Sequence, residues 1–546
     1  MKRSRMIVAG LVALGLVFRL FLLNYRYAVS FDEPHYLQMA ASLLQGNPAG
    51  LLHPYWSPGY PLVAALFGIF TDNYEFAGRL ANIVLGSLTI IPVYLLARRV
   101  FDETVACWAA GFLAFYPPLA FLHTTALAEP AYMFFGFWAV WLGWRALVRR
   151  RWKPALLAGM SVGMAYLTKP EGIGFMLVYF AVLAVIILWR LRGRRPVGRF
   201  RFSLMMPAGF LLVAGWYLLY LHSEAGYWTL SAKGAANQQF EATYFTPEDD
   251  DVFENITADR TALPMDEIYH TGTFIKNTGS TGAKVRVSPA LLLKKYVTNF
   301  FRVLKYGVPV LMTFPLLILF GLGLFSRPWG RRSAGISLYL LSFISFYWFV
   351  LVPMFHINER YLLSMMPLAA VWIAAGFLVQ AEWFTETILH LFDSAIVSAA
   401  RYGLALALLF VLGLALVPEF GKVMQHSAAG REEWDEPVEL KQAGLWLRQN
   451  TTQHPPVVVS YNKAVDFYAG NFDVRSGVSW SKDSLEVILD YARYRGAGYF
   501  AASERYLNKY PNLAPLFSGT GPESLQLLHE VTGPAGYRAR IFTWKD

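Results

Sequence analysis

The chain has 546 residues, 55% of them hydrophobic and only 16% charged, with a formal net charge of +11. Soluble domains carry roughly a quarter charged residues, so this composition excludes an ordinary soluble protein and points to a polytopic membrane protein. The single cysteine, Cys107, excludes a disulfide framework or a cysteine-based metal site within one chain.

Crossing roughly 30 Å of hydrocarbon takes about 20 apolar residues in a helix, and runs near that length recur along the chain. They predict spans at 7–24, 77–97, 105–122, 130–148, 155–168, 172–189, 203–221, 306–325, 334–354, 361–379 and 403–418, about eleven in all. No small-x-small cleavage pattern follows the first run, so it is read as a retained helix and not as a signal peptide. The run 60–70 is too short to span and is placed at the interface, and 155–168 is short enough to need tilting or support from neighbours. The stretch 380–402 mixes apolar periodicity with charge and reads as an interfacial amphipathic helix.

Lys and Arg cluster in "MKRSR", "ARR", "RRRWK", "RLRGRRPVGRFR" and "RPWGRR", all on one side of an alternating topology. Cytoplasmic loops are enriched in these residues, so that side is assigned to the cytoplasm, and the positive charge sets topology without implying a nucleic-acid partner. The outer segments are then 25–76, 123–129, 169–171, 222–300, 355–360 and the tail from 419. The tail turns polar. "LKQAGLWLRQN" and "DSLEVILDYARYRG" read as helices, and "PVVVSYN", "AGYFAAS" and "YRARIFTW" as strands. This predicts two parts: a membrane module over 1–418 and an extracytoplasmic α/β domain over 419–546. Neither G-x-x-x-x-G-K-[ST] nor G-x-G-x-x-G occurs, so nucleotide hydrolysis and nucleotide-sugar binding have no support.

Chemistry-bearing residues gather in the outer segments. In "FDEPHY", Asp32 and Glu33 stand at the entrance of a helix that Pro34 opens and Gly46 closes. They cap that helix, project into a cleft, or do both. "HPYWSPGYP" reads as a rigid interfacial platform, an aromatic belt more than a direct substrate contact. "HTTALAEP" places Glu129 at a membrane edge, as a helix-start carboxylate or a site residue. "LTKPEGIG" puts Lys169 and Glu171 at the tip of a hairpin, the lysine either snorkelling or holding an anion. "FHINERYLLSMMP" offers His356, Glu359, Arg360 and Tyr361, and Arg360 runs against the positive-inside trend. Lys233, from the long loop, is a further cation, and Tyr36 lies beside the acidic pair. His53, His123 and His356 face outward but lack a ligand spacing, so no metal is required, with a divalent ion left open.

A carboxylate can take the proton of an attacking hydroxyl, and Lys and Arg can stabilise a departing phosphate. Together, just outside hydrocarbon, they suit a sugar carried on a lipid phosphate. A transporter of lipid-linked glycans would instead want charges within spans and internal repeats, neither of which is evident. A non-catalytic assembly protein whose outer domain binds partners is the third reading.

The order and spacing of "FDEPHY", "SPGYPL", "RLANIVLGSLTIIPVYLLARRVF", "ALAEP", "LTKPEG" and "ERYLLSMMP" resemble bacterial members of the dolichyl-phosphate-mannose protein mannosyltransferase superfamily, which includes relatives of the lipid A aminoarabinose transferases. The resemblance implies the GT-C fold, a bacterial inner-membrane location, and inverting transfer of a sugar from a polyprenyl phosphate to a hydroxyl of a lipid, glycan or protein acceptor. It implies Asp32 as general base with Glu33 beside it, and donor-phosphate contact from Lys169 and Arg360, with Lys233 weaker. Tyr36, Glu129, Glu171, His356 and Tyr361 would line the pocket. The long outer loop shows no equivalent of the β-trefoil insertion of eukaryotic members, which argues against a protein acceptor.

Overall fold

The computed structural model describes residues 2–30, 32–194, 198–231, 233, 289–327, 329–354, 357, 359–389, 436–451, 455–478, 480 and 484–545. Among these, seven helices are long and apolar enough to cross a membrane. The predicted span 403–418, most of the loop 222–300, the second half of 380–402 and His356 lie outside the described residues.

The membrane module begins with α1 (Lys2–Leu23), then the outer helices α2 (Glu33–Leu44) and α3 (Gly59–Gly68). Next come α4 (Tyr74–Leu88) and α5 (Ile90–Val100), which run on as one span, and α6 (Glu103–Phe115), α7 (Pro117–Leu122), α8 (Glu129–Arg149) and α9 (Trp152–Thr168). They are followed by α10 (Ile173–Arg192), α11 (Met205–Ala225), α12 (Pro289–Arg302), α13 (Phe314–Phe325), α14 (Arg331–Phe346), α15 (Glu359–Leu363) and α16 (Met366–Leu389).

Three expected spans are interrupted. The run 105–122 breaks at Tyr116, which is extended ahead of Pro117. The run 306–325 breaks ahead of Phe314–Pro315, and 361–379 breaks between α15 and α16, ahead of Pro367. At Tyr116 the residue before the proline is pushed out of the helical region. Pro315 and Pro367 instead stand in the first turn of the helix that follows, where a missing N–H costs nothing, and they cannot continue the preceding helix. The first half of 380–402 continues α16 and is not a separate interfacial helix.

The short helix α9 is carried by its neighbours. A Cβ at Gly159 would stand 1.9 Å from the carbonyl oxygen of Met206 on α11, so the two backbones touch there. Small residues permit such contact, and inside a bilayer close packing is the main force joining helices.

The tail folds as an α/β domain with sheet order β1-β2-β4-β3. Here α17 (Val438–Asn450) leads to β1 (Val458–Ser460), α18 (Ala464–Tyr468), α19 (Leu485–Tyr494), β2 (Tyr499–Ser503), β3 (Leu525–Thr532) and β4 (Arg538–Trp544). β1 pairs parallel to β2 (Val459 opposite Phe500), while β2 and β3 both pair antiparallel to β4 (Phe500 and Leu527 opposite Phe542). The edge strand β3 was not anticipated, because its outer position leaves most of it exposed and a register shift between Leu527 and His529 breaks its alternation.

One apolar core fills the membrane module. A second is shared: Tyr36, Leu37, Trp56 and Tyr60 of the outer segments pack with Ala464, Phe467 and Tyr468 of the tail domain. The outer loop that carries the acidic pair is thus buried between the spans and the α/β domain.

Candidate functional site

The site forms where helix entrances and a hairpin meet at the end of the bundle expected to face outward. Asp32 occupies the N-cap position of α2 yet makes no side-chain capping bond. Its Oδ2 instead accepts from Arg360 Nη2 at 2.9 Å. Arg360 sits on α15, just ahead of the break that precedes α16. Its Nε lies 3.5 Å from Glu129 Oε1 at the first residue of α8, and Lys169 Nζ reaches the same oxygen at 3.0 Å. The Lys169 ammonium also lies 4.2 Å from the centre of the Tyr361 ring, and the Tyr361 hydroxyl accepts from Arg360 Nη2 at 3.3 Å. Asp32, Arg360, Glu129, Lys169 and Tyr361 therefore form one chain of alternating charge, drawn from four separate segments.

The electrostatics follow from that chain. Burial alone would push the Asp32 carboxyl up, but Arg360, Lys233 and His35 outweigh it and hold it below the usual carboxylate range. Burial would also discharge Lys169, and Glu129 and Glu171 reverse this and raise it. For Lys233, burial wins and lowers the ammonium, which rests over Tyr55 and Trp56 at 5.0 and 5.1 Å. A Lys left buried at a protein's surface would snorkel, but Lys169 is only 8% exposed and fully committed to this network.

Glu33 differs from expectation. Its Oε2 accepts from Ser30 N at 2.9 Å and its Oε1 from Ala126 N at 2.6 Å. It is buried, which pushes its carboxyl up, and it ties the first outer loop to the segment leading into Glu129. Those two backbone amides occupy one site on each oxygen of Glu33, whereas the side-chain partner of Asp32 is Arg360.

The other expected residues divide. Tyr36 is buried edge-on against Trp56 and Tyr60, both at 5.5 Å, and among the described residues its hydroxyl makes no hydrogen bond. Burial, Asp32 and Glu129 all keep that phenol protonated. Glu171 acts on Lys169 and Lys233 through its charge, and its backbone carbonyl accepts from Tyr347 Oη at 3.0 Å. Its buried Oε2 has no hydrogen-bond partner among the described residues. The "HPYWSPGYP" segment is not a lipid-facing belt: Trp56 is 2% exposed and stacks on His35 at 4.2 Å. A Cβ at Gly59 of that segment would meet the Leu167 carbonyl carbon at 2.4 Å, which seats this loop against the hairpin of Lys169.

Two histidines expected to face outward are buried. His53 Nδ1 accepts from Tyr55 N and Trp56 N, both at 3.1 Å, and His123 Nδ1 accepts from Arg19 Nε at 3.0 Å. Among the described residues no group of three or more His, Cys, Asp or Glu side chains stands where one ion could be held. Charges within spans, taken as absent from the sequence, are present. Arg19 lies in α1 and Arg79 in α4, both buried near the outer ends of their helices. Arg19 is satisfied by His123 and the carbonyls of Gly15, Leu113 and Ala114, so it serves packing and not a midplane pathway.

Sequence reasoning missed Glu436, Arg26, Lys441 and Tyr468, which surround the loop before Asp32. Glu436 Oε1 pairs with Arg26 at 2.9 Å. An arginine on the outer side of a span was the available signal for Arg26, as it was for Arg360. No local pattern marks Glu436, more than 400 residues away in sequence.

Residues 53–218 match the family described as dolichyl-phosphate-mannose-protein mannosyltransferase. The undecaprenyl phosphate-α-4-amino-4-deoxy-L-arabinose arabinosyl transferase of Pseudomonas aeruginosa is 29% identical over 232 residues, which is 40% of this chain and 41% of that protein. The chain thus matches less than half the length of this relative. Among solved structures, ArnT from Cupriavidus metallidurans bound to undecaprenyl phosphate superposes with a TM-score of 0.55 at 14% identity, covering 98% of this chain and 97% of that one. The archaeal oligosaccharyltransferase AglB from Archaeoglobus fulgidus, in complex with an inhibitory peptide and a dolichol-phosphate, gives 0.57 at 13% identity, with 97% and 80% covered. Another structure of the Archaeoglobus fulgidus oligosaccharyltransferase is a complex with Zn and sulfate. The chain is an integral membrane protein with the GT-C fold, and its residues 53–218 carry the pattern of the dolichyl-phosphate-mannose-protein mannosyltransferase family.

Proposed function

We propose that this protein is an inverting glycosyltransferase that moves a sugar from a polyprenyl phosphate to a hydroxyl of an acceptor at the outer face of the inner membrane. The single observation that carries the reading is the Asp32–Arg360–Glu129–Lys169 chain, which sets two carboxylates and two cations together at the outer helix ends. The relatives named for undecaprenyl phosphate-linked aminoarabinose transfer support a lipid-phosphate donor. The N-terminus is then cytoplasmic and the α/β domain periplasmic, in keeping with the basic clusters on the opposite side.

Asp32 accepts the proton of the acceptor hydroxyl as that oxygen attacks the anomeric carbon. The new C–O bond forms as the bond to the phosphate oxygen breaks, and the electron pair leaves with the phosphate, inverting the anomeric centre. Lys169 and Arg360 stabilise the charge that develops there. Arg360 bridges Asp32 and Glu129 before the donor arrives. A phosphate competes with Asp32 for the guanidinium, which leaves Asp32 freer to take a proton. Glu129 keeps both cations aimed at one point, Tyr36 and Tyr361 line the pocket, and Lys233 and Glu171 border it. Transfer is expected to persist after chelation of divalent ions, and its loss would show that a metal is required.

The experiment is transfer from radiolabelled polyprenyl-phosphate sugars by purified protein in lipid nanodiscs, with membrane extract as acceptor. Labelled product of inverted anomeric configuration is expected. Retained configuration would replace the base assignment with a nucleophile, and donor transport without transfer would favour a lipid-linked glycan transporter.

A further inference from the structure

The backbone just ahead of Asp32 is held from both sides, by the α/β domain and by the membrane module. Tyr27 N and Ala28 N both donate to Glu436 Oε2, at 2.5 and 2.7 Å, and Val29 N donates to the Tyr468 hydroxyl at 2.9 Å. Ser30 N is taken by Glu33 at 2.9 Å. Four consecutive amides are thus satisfied by side chains, three of them by the α/β domain. The carbonyls are held as well: Tyr27 O accepts from Lys441 Nζ at 2.7 Å and Ala28 O from Arg79 Nη2 at 2.8 Å. Glu75 closes the ring by pairing with Lys441 at 3.0 Å and Arg79 at 2.9 Å, and by accepting from Tyr468 Oη at 2.8 Å. Beneath this lies the apolar core shared by Tyr36, Trp56, Phe467 and Tyr468.

A surface domain that merely rested on the spans would not need to saturate one short loop in this way. Ala28 and Val29 are buried, and backbone amides kept from water must find acceptors, while a carboxylate that takes the amides of both Tyr27 and Ala28 fixes their direction as well as their position. We infer that the α/β domain is a working part of the site, with Glu436 and Tyr468 as positioning residues that set the placement of Asp32. The inference rests on the transferase reading above for its kinetic consequence, and on the hydrogen bonds alone for its structural one. A small misplacement of a reacting group can cost roughly 100-fold in rate. Donor binding belongs to Lys169 and Arg360, on other segments, so the loss falls on turnover.

The test uses the full chain in nanodiscs, with Glu436→Gln and Tyr468→Phe. Glutamine turns one carboxylate oxygen into a donor, which then faces either the two amides or Arg26. Phenylalanine removes one hydroxyl and keeps the ring. Arg493→Ala, which removes an exposed 3.2 Å pair with Asp490 on α19, is the control within the same domain. Both test variants are expected to lower kcat by about tenfold or more with donor KM unchanged, while the control keeps wild-type kcat. Wild-type kcat in both, or a raised donor KM with kcat intact, overturns the inference and leaves the transferase reading standing. Hydrogen exchange of residues 27–30 is read on the same proteins. Faster exchange is expected in both variants, and unchanged exchange overturns the positioning role whatever the transfer assay gives. A wild-type protein that transfers nothing, with exchange altered as expected, counts against the transferase reading and not against the clamp. If Glu436→Gln does not accumulate, Tyr468→Phe decides.

Discussion

At the scale of single residues, the site is an exercise in charge compensation. Lys169 and Glu129 are 10% and 3% exposed at their side chains and share a 3.0 Å bond. Removing one member of a buried pair strands the other, at a cost of about 3–5 kcal/mol. Arg360 at 3.5 Å keeps Glu129 partly matched, so Lys169→Met is expected at the lower end of that range in thermal unfolding. Adding Glu129→Gln to it should restore stability without restoring transfer, and restored transfer would remove the donor-phosphate role of Lys169. The pH dependence has a definite sign. The Asp32 carboxyl is held low by Arg360, Lys233 and His35 against the effect of burial. Its pair with Arg360 is therefore fully present above the ordinary carboxylate pKa of about 3.9 and is lost as pH falls through the lower folded value. Lys233→Met removes one of those cations, so the acid limb of kcat/KM should move to higher pH. An unmoved limb would detach Lys233 from the site.

At the scale of elements, packing decides where those residues stand. The backbone contact of Gly59 with Leu167 seats the first outer segment against the Lys169 hairpin, and any Cβ there forces the two apart. Gly59→Ala is expected to lower kcat/KM by about tenfold or more through that displacement, measured in the transfer assay with folding checked by thermal unfolding. Most spans were legible because hydrocarbon demands long apolar runs, and Glu129 and Lys169 because they sit at the ends of such runs. The breaks at Tyr116 and ahead of α16 were written in Pro117 and Pro367 but hidden by the apolar residues around them. Asp32 and Glu33 were not separable, since neighbouring carboxylates at a helix start look alike until their partners are known. Glu436 was beyond reach for the same reason, its partners being distant in sequence.

At the scale of the whole molecule, the proposed mechanism takes its cations from Lys169 and Arg360 at the helix ends and its base from the loop of Asp32, which the α/β domain holds. The fold is shared with ArnT and AglB over nearly the whole chain, while sequence likeness to the arabinosyl transferase of Pseudomonas aeruginosa covers 40% of it and the family pattern residues 53–218. The central claim is that Asp32 is the base and is separate from donor binding. The most direct measurement is single-turnover transfer from a prebound radiolabelled polyprenyl-phosphate sugar, comparing wild type with Asp32→Asn. The account predicts that the variant binds donor at least as tightly as wild type, since the phosphate no longer competes with a carboxylate for Arg360, and transfers it about 10²- to 10⁴-fold more slowly. Wild-type transfer by Asp32→Asn would contradict it.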